Sequence, residues 1–128
     1  MEGFEEGSPV DRESGNVVLC GASAYEEKYY FNPDFDKLPE SIKEDLRIIS
    51  VLFVSEIGGI FLMEFNGDGE LMFRTEAKDS DYNYDDIGAG LMIKEIRSSR
   101  EEFLRDLELF YRVFILKLPL EEDGDADR

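Results

Sequence analysis

The stretch FLMEFNGDGELMFRTEA, Phe61–Ala77, constrains the fold most, because apolar and polar side chains alternate on both sides of a glycine-rich turn. Alternation with a period of two is typical of a β-strand with one buried face. A three-residue loop, Gly67-Asp68-Gly69, places Gly69 at the left-handed position that such hairpins require. The sequence therefore predicts a β-hairpin over residues 60–76.

The same loop decides which side chains share a face of the hairpin. It sets Asn66 opposite Glu70, Phe65 opposite Leu71, and Met63 opposite Phe73. One face is then apolar and the other charged: Phe61, Met63, Phe65, Leu71 and Phe73 against Glu64, Arg74 and Glu76. A calcium-loop interpretation fails, because a loop that starts at Asn66 has leucine where glycine is needed and alanine where a bidentate glutamate is needed.

The segment LPESIKEDLRIISVLFVSEIGG predicts a helix over about 40–57. Its apolar residues recur at three- and four-residue steps and form one stripe: Ile42, Leu46, Ile49, Leu52 and Phe53. Pro39 suits the first helical position, where its missing N–H costs nothing. Gly58 or Gly59 supplies the left-handed residue that ends a helix.

Residues 85–116 predict C-terminal helices, since apolar residues again follow a helical stripe: Ile87, Leu91, Ile96, Phe103, Leu107, Phe110 and Phe114. Two overlapping capping boxes, Ser98 with Glu101 and Ser99 with Glu102, are compatible with two helices that meet near Ser98. One long helix is the alternative. Residues 113–118, VFILKL, fit either a helix or a closing strand.

Before the first helix, the run NVVLC at 16–20 predicts a strand. Residues 23–32 are ambiguous. Ser23 and Glu26 fit the capping box of a short helix, whereas YYFN suits a strand ended by Pro33, and we favour the strand.

Composition separates one domain from two acidic tails. A chain of 128 residues is typical of one domain. Residues 1–15 and 119–128 are rich in acidic residues and poor in apolar ones, so burial cannot offset their ordering entropy. We expect disordered tails around a single α+β domain at 16–118, with a small antiparallel sheet that holds the hairpin and is covered by the helices.

The net charge of −17 bears on partners and location. An acidic surface repels phosphate backbones and anionic lipid, so we expect no binding to nucleic acid or membranes, while a basic protein partner is compatible. No apolar run approaches the roughly 20 residues of a membrane span. The first 15 residues lack the basic start and apolar middle of a signal peptide, so the chain is predicted to be cytoplasmic.

Catalytic patterns are weak. The chain has no histidine, which removes the commonest general base and every Ser-His and Cys-His dyad. Cys20 follows an apolar run and is expected to be a buried structural cysteine. We therefore favour a non-catalytic protein without a cofactor. A small enzyme that uses carboxylates or Cys20 remains the alternative.

Four acidic residues, Asp79, Asp81, Asp85 and Asp86, lie within eight positions. Their oxygens are ligands that hard cations prefer, which makes a small-ligand or metal-binding domain using loop 79–86 a further alternative. Aspartate is also typical of loops that lead into a helix N-terminus, where it caps the helix. We favour the capping interpretation and expect no metal.

Five segments carry a family resemblance: VVLCGASAYEEKYYFN, LPESIKEDL, EIGGIF, YDDIGAGLMIKEI and LELFYRVF. Together they resemble a family of small, acidic, uncharacterised proteins from anaerobic Firmicutes, a domain of unknown function. The resemblance covers about 17–115 and implies no activity or functional residue.

The C-terminal segment suggests how such a domain could act. From LFYRVFIL onward it is apolar almost all round, which is typical of a helix that is central or packs against another chain. We therefore predict an interaction or regulatory module that self-associates as a homodimer or binds another protein. The residues expected to form the contact are Leu107, Phe110, Tyr111 and Phe114.

Overall fold

The computed structural model describes Val10 and residues 14–117. Its elements, in chain order, are β1 (Val17–Ser23), β2 (Lys28–Phe31), a 3-10 turn (Pro33–Phe35), α1 (Glu40–Glu56), β3 (Ile60–Phe65), β4 (Leu71–Glu76), α2 (Asp86–Ser99), α3 (Glu101–Phe110) and a π-helical turn (Tyr111–Ile115). Most of the predicted tail 1–15, and all of the predicted tail 119–128, lie outside the described residues.

The four strands of the described part form one antiparallel sheet in the order β2-β1-β3-β4. A turn at 24–27 joins β1 to β2, and α1 carries the chain from β2 to β3, which pairs with β1. The predicted α+β class with a small antiparallel sheet is therefore confirmed. Within the hairpin, β3 is an inner strand and β4 lies at the edge.

The β3–β4 hairpin has the predicted register, with Phe65 opposite Leu71 and Met63 opposite Phe73. Asn66 closes the loop, because its N–H donates to the Glu70 carbonyl at 3.0 Å and its Oδ1 accepts from Glu70 N at 3.0 Å. Gly69 has φ +82°, the left-handed conformation that the loop chemistry requires. NGDGE is therefore a turn between two strands.

Helix α1 covers Glu40–Glu56, in agreement with the predicted 40–57, but the position expected for Pro39 was wrong. Pro39 has an extended backbone, with ψ 152°, and lies at the N-cap rather than at the first helical position. The helix ends as expected, since Gly58 and Gly59 both have positive φ. Three members of the predicted stripe are buried: Leu46, Ile49 and Phe53. The inclusion of Leu52 was wrong, because this side chain is 51% exposed.

The ambiguous segment 23–32 contains a turn followed by a strand. Glu26 N donates to Ser23 Oγ at 3.2 Å, so the serine closes a turn rather than starting a helix. Residues 28–31 then pair with β1, and Asn32 N donates to the Leu19 carbonyl at 3.0 Å just before Pro33. The favoured strand is present over KYYF.

The C-terminal region contains two helices rather than one. Arg100 interrupts the helical path with φ −125° and ψ 33°, although its N–H still donates to the Ile96 carbonyl at 3.0 Å. The capping boxes predicted at Ser98 and Ser99 were wrong, because both residues lie in the last turn of α2. The strand alternative was also wrong over the described residues 113–117, because the π-helical turn continues α3 to Ile115 and residues 116–117 form no strand.

The main core lies between one face of the sheet and the helices. Its aromatic rings stack closely, with centroids 4.4 Å apart for Phe53 and Phe61 and 4.1 Å apart for Phe65 and Tyr111. A smaller buried cluster occupies the opposite face: Val18, Tyr30, Ile60 and Leu62. Glu64 lies on that face as predicted, is buried, and accepts from Ser14 Oγ at 2.9 Å.

Candidate functional site

Helix α3 and the π-helical turn have apolar residues on two sides. The inner side is buried and belongs to the core: Leu104, Leu107 and Tyr111. The Tyr111 ring stacks on Phe65 at 4.1 Å and on Phe35 at 6.0 Å. This packing fixes the rotation of the helix and hence the direction in which its other side chains point.

The outer side forms a surface that we call the C-terminal apolar surface, which consists of Leu109, Phe110, Val113 and Phe114. Leu109 is 46% exposed and Phe114 is 55% exposed. The Phe110 and Phe114 rings are 4.8 Å apart. With Asp106 these side chains line a shallow depression of about 290 Å³. A second depression of about 220 Å³ shares Asp106 and Phe110 and extends to Ile42 of α1.

Contacts with the hairpin hold this surface in place. Glu108 Oε2 accepts from Leu71 N at 2.8 Å, and Arg97 Nη2 donates to the Leu71 carbonyl at 3.4 Å. Arg112 Nε donates to the Asp68 carbonyl in the hairpin loop at 3.4 Å. Leu71 begins the edge strand β4, and its N–H and carbonyl groups form these hydrogen bonds with side chains of α3 and α2. The surface therefore has a fixed orientation relative to the sheet.

The four predicted interaction residues fall on two different sides of the helix. Leu107 and Tyr111 lie in the core, whereas Phe110 and Phe114 lie on the outer side. Two members of the surface were not predicted: Leu109 and Val113. A segment that is apolar almost all round does not show which of its sides faces the core. Residues 109 and 113 are four positions apart, as are residues 110 and 114, and this spacing indicates one common outer face.

Two of the four aspartates considered as metal ligands lie at the start of α2. Asp85 caps the helix, because its Oδ1 accepts from Gly88 N at 2.8 Å. Asp86 lies in the first turn, where the positive end of the helix dipole favours a carboxylate. Both positions agree with the capping interpretation of the loop.

The other two aspartates lie earlier in the loop. Asp81 Oδ2 accepts from the Tyr25 hydroxyl at 2.6 Å, and the same hydroxyl accepts from Lys78 N at 3.0 Å. Asp79 is exposed. Within the described residues, no three or more Cys, Asp or Glu side chains come together in a group that could hold a metal ion.

Cys20 is fully buried in the core. Its Sγ lies 3.7 Å from Ser50 Oγ and 3.7 Å from Met63 Sδ. Burial raises the pKa of the thiol to about 12, although hydrogen bonds with Ser50 and Tyr29 oppose this effect. The thiol is therefore neutral and enclosed at physiological pH, as expected for a structural cysteine.

Together the sheet, the helices and the outer side of α3 define a small α+β domain with an apolar helical surface. Among the helices of the described residues, none combines the length and the apolar character of a membrane span. Residues 16–119 match the Family of unknown function (DUF6145), so the chain belongs to this family. No curated protein and no solved structure matches the chain.

Proposed function

We propose that the chain is a non-catalytic interaction module of the bacterial cytoplasm that forms a homodimer through the C-terminal apolar surface. The exposure of Leu109 and Phe114 beside a half-buried Phe110 carries this proposal. Leaving a large apolar side chain in water forgoes roughly 1.5–3 kcal/mol relative to full burial. A second chain that covers the surface recovers part of that free energy, which supplies a driving force for association.

The charges along α3 favour a second copy in antiparallel orientation. Residues 101–106 have a net negative charge and residues 108–117 a net positive one: Glu101, Glu102 and Asp106 against Arg105 in the first part, and Glu108 against Arg112 and Lys117 in the second. A two-fold axis near Phe110 therefore places the acidic start of one helix opposite the basic end of its partner. From Glu102 to Phe114, α3 and the π-helical turn together are about 18 Å long, which is enough for three turns of helix-on-helix contact.

The alternative of a ligand or metal site in loop 79–86 has less support from the geometry. Asp81 is engaged by the Tyr25 hydroxyl, and Asp85 is engaged by the first turn of α2. Each carboxylate thus has a structural role in the loop. The enzyme alternative through Cys20 is opposed by the burial of the thiol.

A pair of matched substitutions tests the proposal. Phe114→Asp places a charge within the surface, whereas Ile87→Asp changes an apolar side chain that is 78% exposed on α2. Light scattering after size-exclusion chromatography at micromolar concentration should give the mass of two chains for the wild type and Ile87→Asp. It should give one chain for Phe114→Asp.

Circular dichroism and thermal unfolding provide the control that both variants are folded. A folded Phe114→Asp variant with the mass of the wild-type dimer would place the contact elsewhere. A mass of one chain for the wild type would contradict the proposal that the chain self-associates.

A further inference from the structure

A cleft separate from the C-terminal apolar surface lies between α1 and the turn that joins β1 to β2. Its volume is about 470 Å³, within the roughly 300–1,000 Å³ typical of small-molecule sites. Part of its lining is apolar: Ala22, Ala24, Val51 and Val54. None of its lining residues belongs to α3, so the cleft is independent of the proposed dimer contact.

Arg47 brings a guanidinium group to this cleft. One Nη donates to Glu44 Oε2 at 3.1 Å, and both side chains are about half exposed. A guanidinium has five N–H donors in a planar fork, so this ion pair leaves donors available for a second acceptor. Such a fork matches the two oxygens of a carboxylate.

Tyr29 also lines the cleft. It lies opposite Ala22 in the sheet, and its hydroxyl oxygen is buried next to the Cys20 thiol. Burial and the neighbouring thiol raise the pKa of Tyr29, while the positive charge of Arg47 lowers it. The hydroxyl is therefore neutral.

The charges at the rim limit the kind of ligand. Lys28 and Arg47 bring two positive charges, and Glu27 in the lining and Glu44 beside Arg47 bring two negative ones. A cleft that is locally balanced in a chain of net charge −17 disfavours a ligand with several negative charges. One negative charge on an apolar body fits both the guanidinium and the lining.

We propose that this cleft binds a small organic molecule in which a single carboxylate is attached to an apolar body. The carboxylate is held by Arg47, and the body packs on Ala22, Val51 and Val54. The polar groups fix the orientation of the ligand, and the apolar contacts supply most of the buried area.

The test is a titration followed by NMR of the ¹⁵N-labelled full chain, with benzoate, phenylacetate and isovalerate as probes. At least one probe should cause saturable shifts of the amides of Ala22, Ala24 and Val51. The neutral amide of the same body, such as benzamide for benzoate, should bind about tenfold more weakly, because it lacks the charge-assisted bonds.

Two arginine variants distinguish binding in the cleft from a general effect of the charge of the chain. Arg47→Gln should weaken binding of the carboxylate probe by about tenfold. Arg105→Gln is the matched control, since Arg105 is also an exposed helix residue paired with a glutamate, at 2.8 Å from Glu101, but lies outside the cleft. It should leave binding unchanged, as should Phe114→Asp.

Three results would overturn the proposal. The first is the absence of saturable shifts with any of the three carboxylates. The second is equal binding of the carboxylate and its amide. The third is an equal loss of affinity in Arg47→Gln and Arg105→Gln, which would show that only the overall charge matters.

Discussion

Replacing Gly69 by alanine should lower the free energy of unfolding by about 2 kcal/mol, because two costs combine at this position. Gly69 has φ +82°, and a left-handed conformation costs a residue with a Cβ roughly 1–2 kcal/mol. A Cβ there would also lie 2.9 Å from Arg112 Cγ, so the arginine must move. Moving it weakens the 3.4 Å bond from Arg112 to the Asp68 carbonyl, worth about 0.5–1.5 kcal/mol. The smaller entropy of the unfolded alanine chain offsets part of this loss.

Urea denaturation followed by circular dichroism measures the effect, and Gly67 in the same loop is the control. A Cβ at Gly67 meets nothing within 4 Å, so Gly67→Ala should change stability by less than about 0.5 kcal/mol. In an Arg112→Ala background, Gly69→Ala should lower the free energy of unfolding by only about 1 kcal/mol, which is the cost of the left-handed backbone alone. Equal losses for Gly67→Ala and Gly69→Ala would contradict both the left-handed turn at Gly69 and its contact with Arg112.

Three further predictions concern the loop aspartates and the cysteine. Asp85→Ala should destabilise the fold by about 1 kcal/mol in urea denaturation, because it removes the cap of α2. Millimolar calcium should change the melting temperature no more than another salt of the same ionic strength does. A saturable shift with calcium that is lost in Asp81→Ala would contradict this prediction. Cys20 should not react with a maleimide at pH 8 while the chain is folded, since the thiol is buried and its pKa is raised to about 12. Rapid labelling without denaturant would show that the thiol is accessible.

The parts of the fold that the sequence predicted correctly are those with strong local signals. The Gly67–Gly69 loop determined the register of the β3–β4 hairpin, because a left-handed residue is required at one position only. The glycines at 58 and 59 likewise marked the end of α1. In both cases the chemistry of a few neighbouring residues was sufficient.

The parts that were missed depend on contacts between distant residues. The break at Arg100 has no side-chain cap, so the serines beside it misled the interpretation of the capping boxes. The burial of Tyr111 depends on Phe35 and Phe65, which lie more than 40 positions earlier in the chain. The cleft between α1 and the β1–β2 turn also combines two separate segments, and no spacing in the sequence indicates it.

Sedimentation equilibrium of the wild-type chain at micromolar concentration, in low and high salt, tests whether the chain forms a dimer through the C-terminal apolar surface. We predict a reversible monomer–dimer equilibrium that is tighter in high salt, because salt screens the repulsion between two chains of charge −17 while the apolar contact persists. The mass of one chain at every concentration and salt condition would contradict it. Association that weakens as salt is added would show that charge pairs, rather than the C-terminal apolar surface, hold the copies together.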